Sequence, residues 1–328
     1  MKLLVTGGLG FIGSNFILQV LKNNSDFSVT NIDAELTGSD HHNLDELKNS
    51  SNYKFVKGNI TNKIMMEKLI ENHDCIINFA AESFVDRSIL DANQFLVSNI
   101  RGTYTILEIL RKHKKRLIQI STDEVFGSLK EGSAHETSRF NPSNPYAATK
   151  ASAELLVNSY VNTYDLDCVI TRWTNNYGPR QFYEKLIPKT IFLANQNKKI
   201  PIYGKGENIR DWIYVNDHCE AVLRVLLDGK KGESYNVSSD NEIDNLSIVK
   251  KILELLGKSS DLIEFVTDRP GHDLRYSLNS SKIKNSLKWN PEISFDDGIQ
   301  NTIDWLINNS RGKDISENIL GSTPWKKS

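Results

Sequence analysis

A tyrosine and a lysine four residues apart are the first side chains in this sequence whose types and spacing suit a chemical step. Tyr146 and Lys150 form the pattern Y-x-x-x-K, which on a helix places both side chains on one face. An unperturbed tyrosine has a pKa of about 10, and a nearby ammonium favours the phenolate and lowers that pKa. Tyr146 is therefore a candidate base for a hydroxyl group whose carbon loses a hydride. An ordinary amphipathic helix would show the same two residues.

An acidic pair follows a predicted strand, 23 and 22 residues before that tyrosine. Thr122, Asp123 and Glu124 come directly after the apolar run 116–121, and open α/β sheets bind ligands at the carboxyl ends of their strands. Adjacent strand residues point to opposite faces, so the two carboxylates reach one ligand only if the chain turns there. Gly127 favours such a turn. To act as an acid, Asp123 needs a pKa raised by burial or by its acidic neighbour; an isolated Asp-Glu pair is more often a solvated turn.

A glycine-rich loop near the start of the chain has the spacing of a dinucleotide-binding turn. Gly7, Gly10 and Gly13 lie between a predicted strand and a predicted helix, where backbone amides and the helix N-terminus can face a pyrophosphate. Asp33 lies twenty residues after Gly13, at the end of the second strand. A carboxylate at that position binds ribose hydroxyls and repels a 2′-phosphate. The pattern predicts NAD rather than NADP as the cofactor.

Short apolar strands alternate with helices and must position these groups. Strands are predicted at 2–6, 27–33, 55–57, 75–80, 116–121 and 167–172, and helices at 14–22, 95–112 and 145–164. This alternation predicts an α/β fold with a doubly wound parallel sheet of the Rossmann type. It weakens after about residue 172, which predicts a smaller mixed α/β substrate-binding domain. We expect the NAD-binding domain to comprise 1–172 plus about 212–230, and the second domain about 173–211 and 231–328.

Length, composition and charge exclude several other classes of protein. A chain of 328 residues is long enough for two domains and needs no disulfide or metal to hold its core. The 40 basic and 41 acidic residues give a net charge of −1, so we expect no nucleic-acid partner; the basic run 111–116 suits the C-terminal end of a helix. The three cysteines are far apart in sequence, which favours the reducing cytoplasm. We expect no membrane span and no metal site, since His272 and the pair at 41–42 lack ligand spacing.

Together these motifs resemble the extended, sugar-nucleotide-modifying branch of the short-chain dehydrogenase/reductases, the NAD-dependent epimerase/dehydratase family. Further segments, at 80–88, 121–127, 175–179, 184–188, 210–212 and 268–273, are similar to the dTDP-glucose 4,6-dehydratases. The resemblance runs from the first strand to about Trp305. It implies a hydro-lyase that converts a nucleoside-diphosphate glucose, dTDP-glucose above all, into its 4-keto-6-deoxy product.

The resemblance also implies a role for each residue of the two motifs. Tyr146, aided by Lys150, would deprotonate the C4 hydroxyl as hydride passes to NAD, and Thr122 would hydrogen-bond the C4 oxygen. The new ketone acidifies the C5 proton, which Glu124 would remove while Asp123 protonates the departing C6 hydroxyl. Hydride would then return to C6 and a proton to C5. Because each turnover regenerates the cofactor, NAD can stay bound.

By the same resemblance, other positions are expected to bind the cofactor, the substrate or a second subunit. Cofactor-binding positions are Gly7, Gly10, Phe11, Ile12, Gly13, Asp33, Asn59, Ile60, Ala80, Ala81, Ser83, Ser98, Tyr146, Lys150 and Asn176. Substrate-binding positions are Ser83, Thr122, Asn175, Lys185, Leu186, Pro201, Tyr203, Arg210, Asn236, Arg269, His272 and Tyr276. The helices at about 95–112 and 145–164 are expected to form a four-helix homodimer interface.

Departures from the family pattern leave the exact substrate open. Asn59 replaces the usual aspartate, Phe84 replaces a histidine, Trp173 replaces a small residue, and the loop 34–40 differs. Thymine and uracil differ by one methyl group, worth about 1–3 kcal/mol in an apolar pocket. A dehydratase acting on UDP-glucose, a 4-epimerase or a decarboxylase of the same branch are the alternative enzymes. A non-catalytic NAD-binding sensor is the alternative of another class, which the presence of both motif residues disfavours.

Overall fold

The computed structural model describes residues 1–309 and shows helices on both faces of a parallel sheet. The strands are β1 (Lys2–Thr6), β2 (Ser28–Asp33), β3 (Tyr53–Lys57), β4 (Cys75–Asn78), β5 (Arg116–Ile120), β6 (Cys168–Trp173), β7 (Asn175–Tyr177), β8 (Ile200–Tyr203), β9 (Ile209–Tyr214), β10 (Ser234–Val237), β11 (Glu242–Asp244) and β12 (Ile263–Val266). The helices are α1 (Phe11–Asn23), α2 (Lys63–Glu71), α3 (Val85–Leu90), α4 (Asn93–Phe95), α5 (Gly102–His113), α6 (Pro145–Tyr164), α7 (Leu186–Asn195), α8 (Val215–Asp228), α9 (Asn245–Leu255), α10 (Ser281–Leu287) and α11 (Phe295–Asn308). A π-helical segment, Leu96–Arg101, joins α4 to α5, and 3-10 turns lie at His41–Leu47, Asp123–Phe126 and Ser260–Leu262. Residues 310–328, which the predicted second domain includes, lie outside the described residues.

Seven strands form one parallel sheet in the order β3-β2-β1-β4-β5-β6-β10. Strand β4, a Cys-Ile-Ile-Asn run, is buried throughout, as expected for a sheet covered on both faces. One face packs on an apolar cluster to which α1, α8 and α10 contribute, and the other on a cluster from α2, α5 and α6. The prediction of a doubly wound Rossmann sheet is confirmed. The strand order reverses between β1 and β4, and the carboxyl edge at such a reversal is where these sheets bind ligands.

A smaller, mixed part of the fold contains the sheet β7-β9-β11 and the parallel pair β8-β12. Helices α7, α9 and α11 supply its apolar clusters, so the prediction of a smaller mixed α/β region is confirmed. Strand β10 lies in the predicted second domain by number, yet it pairs with β6 and completes the edge of the large sheet. Ile283 and Leu287 of α10 likewise pack in the large-sheet core. The predicted domain division places β10 and α10 in the second domain, whereas both pack with the large sheet.

Helix α6 carries the tyrosine and the lysine of the first motif and has clear end signals. The Asn144 side chain caps its start by accepting a hydrogen bond from the Ala147 amide at 2.9 Å, and Pro145 occupies the first helical position. Asp165, with a φ of 57°, ends the helix in the left-handed conformation. The predicted bounds 145–164 are confirmed.

The basic run 111–116 ends helix α5, as predicted. Lys114 follows the helix with a φ of 49°, and its Nζ donates to the carbonyl of Tyr164 at 2.7 Å. Arg116 opens strand β5 and pairs with Asp167 at 2.9 Å. Within residues 1–309, no helix combines the length and the apolar character needed to cross a membrane.

Candidate active site

A cavity lies at the carboxyl ends of the strands of the large sheet. All predicted cofactor-binding residues line it: Gly7, Gly10, Phe11, Ile12, Gly13, Asp33, Asn59, Ile60, Ala80, Ala81, Ser83, Ser98, Tyr146, Lys150 and Asn176. Thr122, Asp123 and Glu124 line the same cavity, together with Asn175, Lys185 and Leu186 from the predicted substrate set. Four segments far apart in sequence, the glycine loop, the strand end after β5, helix α6 and the segment after β6, therefore meet in one space.

The glycine loop brings backbone against backbone, which only glycine permits at two of its positions. Gly7 has a φ of 71°, and a Cβ there would lie 2.7 Å from the amide nitrogen of Ala80. A Cβ on Gly13 would lie 2.5 Å from the carbonyl oxygen of Gly7. Gly10 is different, because its Cβ would meet only that carbonyl oxygen, at 3.3 Å. The loop thus exposes bare backbone at the N-terminus of α1, which suits a phosphate-bearing ligand.

Asp33 ends β2 at the edge of the cavity and also organises the loop that follows. Its Oδ1 accepts hydrogen bonds from the Glu35 amide and the Ser39 hydroxyl, both at 2.8 Å. Its Oδ2 accepts from the Leu9 amide at 3.0 Å. Three donors leave part of the carboxylate's acceptor capacity for a ligand. The sequence predicted the ligand role of Asp33 but not its second role in shaping residues 34–40.

Tyr146 and Lys150 are both buried at the cavity wall. The Lys150 Nζ donates to the carbonyl of Ile120, the last residue of β5, at 2.6 Å. Burial lowers the pKa of Lys150 to about 8, against the opposing effect of the Glu154 carboxylate. Burial, followed by the charge of Glu124, raises the pKa of Tyr146. For the protein by itself, the expected lowering of that tyrosine pKa is therefore wrong in direction; the Thr122 hydroxyl is the group that acts to lower it.

The acid–base turn, residues 122–126, resolves how two adjacent carboxylates can reach one cavity. Strand β5 ends at Ile120, and a 3-10 turn then runs over Asp123–Phe126. The Thr122 side chain caps this turn by accepting from the Glu124 amide at 3.3 Å. Gly127, with a φ of 68°, ends it. Because the chain has left the extended conformation, the alternation of strand side chains no longer applies, and both carboxylates line the cavity.

The two carboxylates of the acid–base turn have different partners. Asp123 is 4% exposed; its Oδ1 accepts from the Thr122 hydroxyl at 3.1 Å, while its Oδ2 is buried with no hydrogen-bond partner among the described residues. Burial, reinforced by the charge of Glu124, raises the pKa of Asp123 to about 8. The Oε2 of Glu124 accepts from the Asn144 amide at 3.1 Å and the Tyr276 hydroxyl at 3.3 Å.

Two predicted substrate residues reach the acid–base turn from the smaller part of the fold. The hydroxyl of Tyr276 lies between Glu124 and Asp273, whose Oδ2 it meets at 2.5 Å. The guanidinium of Arg210 stacks over the Tyr276 ring, 4.2 Å from its centroid, and donates to the Asp273 carbonyl at 2.9 Å. Both side chains are buried. They therefore flank the acid–base turn although they do not line the cavity.

A second group of predicted substrate residues gathers around Asp86, which sequence reasoning missed. Arg269 Nη1 lies 3.2 Å from one oxygen of this carboxylate, and the Tyr203 hydroxyl donates to the other at 3.2 Å. His272 lies edge-on to Tyr203 with ring centroids 6.4 Å apart. The Nε of Arg269 is buried and has no partner among residues 1–309. The signal for Asp86 was its place in the segment 80–88, which resembled the family but carried no single-residue expectation.

Lys185 joins these residues to the cavity, whereas Asn236 does not. The Lys185 Nζ donates to the Ser83 carbonyl at 3.2 Å. Burial lowers the pKa of Lys185, against the charges of Glu124 and Asp86.

Asn236 is 0% exposed in β10 and donates to the Ala134 carbonyl at 2.9 Å. The structure thus gives Asn236 an internal hydrogen-bonding role, and Asn236 is not among the residues that line the cavity. Pro201 lies in β8, outside the residues that line the cavity.

Comparison with known proteins agrees with this geometry. The family model described as GDP-mannose 4,6 dehydratase matches residues 4–302. A low-salt glycan biosynthesis protein of Haloferax volcanii is 48% identical over 308 residues, which cover 94% of this chain and 99% of that protein. A dTDP-glucose 4,6-dehydratase of Streptomyces niveus is 42% identical over 314 residues, 94% of each chain. The chain belongs to the dTDP-glucose 4,6-dehydratase family.

A solved member of this family has the same fold at close superposition. The dTDP-glucose 4,6-dehydratase of Streptomyces venezuelae, solved with NAD bound, gives a TM-score of 0.92 at 39% identity and covers 94% of this chain and 98% of its own. The resemblance predicted from the motifs is confirmed, and the predicted cofactor agrees with that structure.

Two departures from the family pattern lie in the cavity wall. Phe84 packs edge-on against Phe182 with centroids 5.3 Å apart, and the Lys185 Nζ lies 4.7 Å above its ring. Trp173 packs against His218 with ring centroids 3.9 Å apart. Burial lowers the pKa of His218 to about 3, so the ring is neutral, and its Nδ1 lies 2.8 Å from the Oδ1 of Asn176. Phe84 and Trp173 thus contribute apolar packing to the cavity wall, and the acid–base turn keeps both of its carboxylates.

Proposed function

We propose that this protein removes water from a nucleoside-diphosphate glucose, with dTDP-glucose as the substrate, and forms the 4-keto-6-deoxy sugar nucleotide. The observation that carries the proposal is the acid–base turn beside Tyr146 and Lys150 in one cavity. An epimerase of this branch needs the tyrosine and the lysine, whereas an elimination also needs an acid and a base. Asp123 and Glu124 supply that second pair, with the unlike surroundings that such roles require.

The residues of the cavity fit NAD. The bare backbone at Gly7, Gly10 and Gly13 would hold the pyrophosphate at the N-terminus of α1, Asp33 would bind the adenine ribose, and Asn59 would face the adenine. A bound NAD would supply the hydride chemistry, as acceptor at C4 and donor at C6.

Tyr146, Thr122 and Lys150 act on the C4 hydroxyl. Tyr146 takes the hydroxyl proton, and Thr122, whose hydrogen bond favours the phenolate, bonds the C4 oxygen as it becomes a carbonyl. Lys150 is anchored by the Ile120 carbonyl, which fixes its charge at the wall of the cavity. We propose that this positive charge, one helical turn after Tyr146 on α6, favours the phenolate once substrate and cofactor are bound.

Asp123 and Glu124 carry out the elimination. Once C4 is a ketone, the C5 proton is acidic and Glu124 removes it. The electron pair left at C5 forms the C5–C6 double bond and expels the C6 hydroxyl, which leaves as water with the proton of Asp123. The pKa of about 8 keeps Asp123 protonated at neutral pH, which this step requires. A proton then returns to C5 when C6 is reduced.

The substrate's diphosphate would lie toward Lys185, Arg210 and Arg269. Arg269 has a buried Nε without a partner in the described chain, and a planar guanidinium suits two phosphate oxygens. Asp86, which it now contacts at 3.2 Å, would hold the guanidinium in place for the nucleotide.

The test uses purified protein incubated without added NAD, first with dTDP-glucose and then with UDP-glucose. Loss of one water from the dTDP sugar, abolished by Glu124→Gln, supports the proposal and shows that cofactor is retained. Preferential loss of water from UDP-glucose would support the proposed reaction but identify a uridine nucleotide as the substrate. An unchanged mass together with a galactose isomer would instead identify an epimerase and contradict the proposal.

We propose a homodimer formed through helices α5 and α6. Leu96, at the start of the π-helical segment, and Tyr104 of α5 are 49% and 46% exposed, and Leu155 of α6 is 59% exposed. Apolar side chains on two adjacent helices form a surface that a second copy can cover. Light scattering after gel filtration measures the mass: we expect twice the chain mass, reduced to one chain by Leu155→Glu.

We also propose a cytoplasmic location. Cys75, Cys168 and Cys219 are buried and unpaired, as expected in a reducing compartment. Cell fractionation with a compartment marker tests this.

A further inference from the structure

A fully buried ion pair lies directly behind the acid–base turn and takes no part in the proposed chemistry. Arg172, near the end of β6, is 2% exposed, and Glu154, one helical turn after Lys150 on α6, is 0% exposed. Arg172 Nη2 lies 2.7 Å from the Glu154 Oε2, and its Nε lies 3.1 and 2.9 Å from the two oxygens. Desolvating two charges costs several kcal/mol in general, so stability alone does not account for this pair.

The pair contacts both ends of the acid–base turn. Ser121, the residue before Thr122, donates its hydroxyl to the Glu154 Oε1. At the other end, the Arg172 guanidinium carbon lies 5.1 Å from the ring centroid of Phe126, the last residue of the turn. The residue that precedes the turn and the last residue of the turn therefore both contact one salt bridge.

The remaining donors of Arg172 are also used, so the guanidinium has one orientation. Its Nη1 lies 3.2 Å from the Glu136 carbonyl and 3.4 Å from the Asn236 Oδ1, and its Nη2 lies 3.4 Å from the Ser234 hydroxyl. The ring of Phe140 lies 5.4 Å from the guanidinium carbon. Asn236, which the sequence placed among the substrate contacts, is part of this support.

We infer that Arg172, through Glu154 and Phe126, is a positioning residue that sets the acid–base turn against helix α6. Helix α6 carries Tyr146 and Lys150, which act at C4, and the turn carries the residues that act at C5 and C6. Both sets must reach one hexose in the same turnover, so their separation has to be held constant. This inference rests on the proposed function and concerns the geometry of its elimination step.

The inference predicts that loosening this support slows elimination more than oxidation. Arg172→Lys keeps a charge opposite Glu154 but removes the planar fork and its stacking on Phe126. A misplacement of about 1 Å costs roughly 100-fold in rate. We therefore expect kcat for dehydration to fall about 100-fold with KM nearly unchanged. Reduced nicotinamide should accumulate during a single turnover, because C4 oxidation continues while the next step is slow.

Arg116→Lys is the matched control. Arg116 opens β5, the strand whose other end leads into Ser121, and it pairs with Asp167 at 2.9 Å while donating to the Val225 carbonyl at 3.2 Å. Arg116 is a partly buried arginine on β5, the strand that leads into the acid–base turn, whereas Arg172 lies on β6. Arg116 makes no contact with the turn. We expect this control to lower Tm without accumulation of reduced nicotinamide.

Hydrogen exchange provides a readout that does not depend on any substrate. In Arg172→Lys, amides of residues 121–127 should exchange at least tenfold faster than in the unaltered protein, while Arg116→Lys leaves them unchanged. Ser121→Ala, which removes one hydroxyl and leaves both charges paired, is the second variant if Arg172→Lys does not fold. Unaltered protein that dehydrates neither sugar contradicts the proposed function, and the exchange measurement still decides the inference. Normal exchange in the folded variants, or equal acceleration in the Arg116 control, overturns it.

Discussion

Asp123 and Glu124 are neighbours in the chain, yet their carboxylates have opposite surroundings. The Oδ2 of Asp123 is buried with no hydrogen-bond partner in residues 1–309, whereas the Oε2 of Glu124 accepts from Asn144 and Tyr276. Burial without a hydrogen-bond partner makes a carboxyl group hold its proton more firmly than it does in water. The 3-10 turn thus gives two adjacent carboxylates unlike surroundings, which supports the proposed division of roles, with Asp123 acting at the C6 hydroxyl and Glu124 at the C5 proton.

The assignment of Asp123 as the acid predicts a specific defect in Asp123→Asn. An asparagine fills the same buried space but cannot deliver a proton, so we expect the rate of water loss to fall by about 10²- to 10⁴-fold, the usual contribution of one general acid. Oxidation at C4 should continue. Mass spectrometry of a single turnover should therefore detect a 4-keto sugar that retains its C6 hydroxyl.

Glu124→Gln provides the contrast for that experiment. Loss of the base blocks removal of the C5 proton, so solvent deuterium should not enter C5 in this variant, whereas the Asp123→Asn variant should still exchange it. Equal deuterium incorporation in the two variants would contradict the division of roles.

The pKa values of the site predict a loss of activity at alkaline pH. Asp123 must be protonated to act as an acid, and its pKa of about 8 means that this form is lost as the pH rises through 8. Lys150 also has a pKa of about 8 and loses its positive charge over the same interval. Both changes act in one direction, so kcat should be level near pH 7 and decline above about pH 8. A profile that keeps rising to pH 9 would contradict this.

Most of the large sheet and all of helix α6 could be predicted from the sequence because their signals are local. Buried parallel strands are short apolar runs, and α6 has a capping asparagine, a proline at its first position and a regular length. The acid–base turn was harder, since no local signal distinguishes a 3-10 turn at Asp123–Phe126 from a continued strand; Gly127 was the single hint.

Contacts between distant segments could not be predicted in the same way. Asp86 meets Arg269 across 183 residues, and Arg172 uses Asn236, 64 residues away, as an internal partner. Such pairs depend on how the smaller part of the fold packs against the sheet edge, which no residue pattern specifies. The sequence motifs therefore identified candidate site residues, but the structure was needed to distinguish the residues that line the cavity from those that support them.

The glycine loop predicts opposite outcomes for two similar substitutions. In Gly13→Ala, the added Cβ would lie 2.5 Å from the Gly7 carbonyl oxygen, so we expect a loss of about 1–3 kcal/mol in stability, as for overpacked sites. In Gly10→Ala, the Cβ would lie 3.3 Å from that oxygen, so the fold should persist while the methyl group obstructs the pyrophosphate. Thermal unfolding and the NAD content of the purified proteins measure the two effects. Equal Tm values for both variants would contradict the distinction.

Arg87 predicts how firmly the cofactor is retained, because it connects the loop 34–40 to the segment before α7, and both segments contain residues that line the cavity. Its Nη1 donates to the Thr37 hydroxyl at 3.0 Å and its Nη2 to the Glu184 Oε1 at 2.5 Å, and its guanidinium carbon lies 5.1 Å from the Phe84 ring centroid. Thr37 belongs to the loop that Asp33 shapes, and Glu184 to the segment that leads into α7. Arg87→Ala removes this bridge, so bound NAD should exchange with isotopically labelled NAD about fivefold faster, the scale of a partly exposed ion pair.

Arg224→Ala is the control for the bridge, since Arg224 forms an exposed ion pair with Glu220 at 2.9 Å within helix α8. The NAD exchange rate of this variant should equal that of the unaltered protein. The Arg87→Ala variant should also keep its rate of C4 oxidation once NAD is supplied in excess, because Arg87 contacts neither Tyr146 nor the acid–base turn. Identical exchange rates in the two arginine variants would show that the bridge does not retain the cofactor.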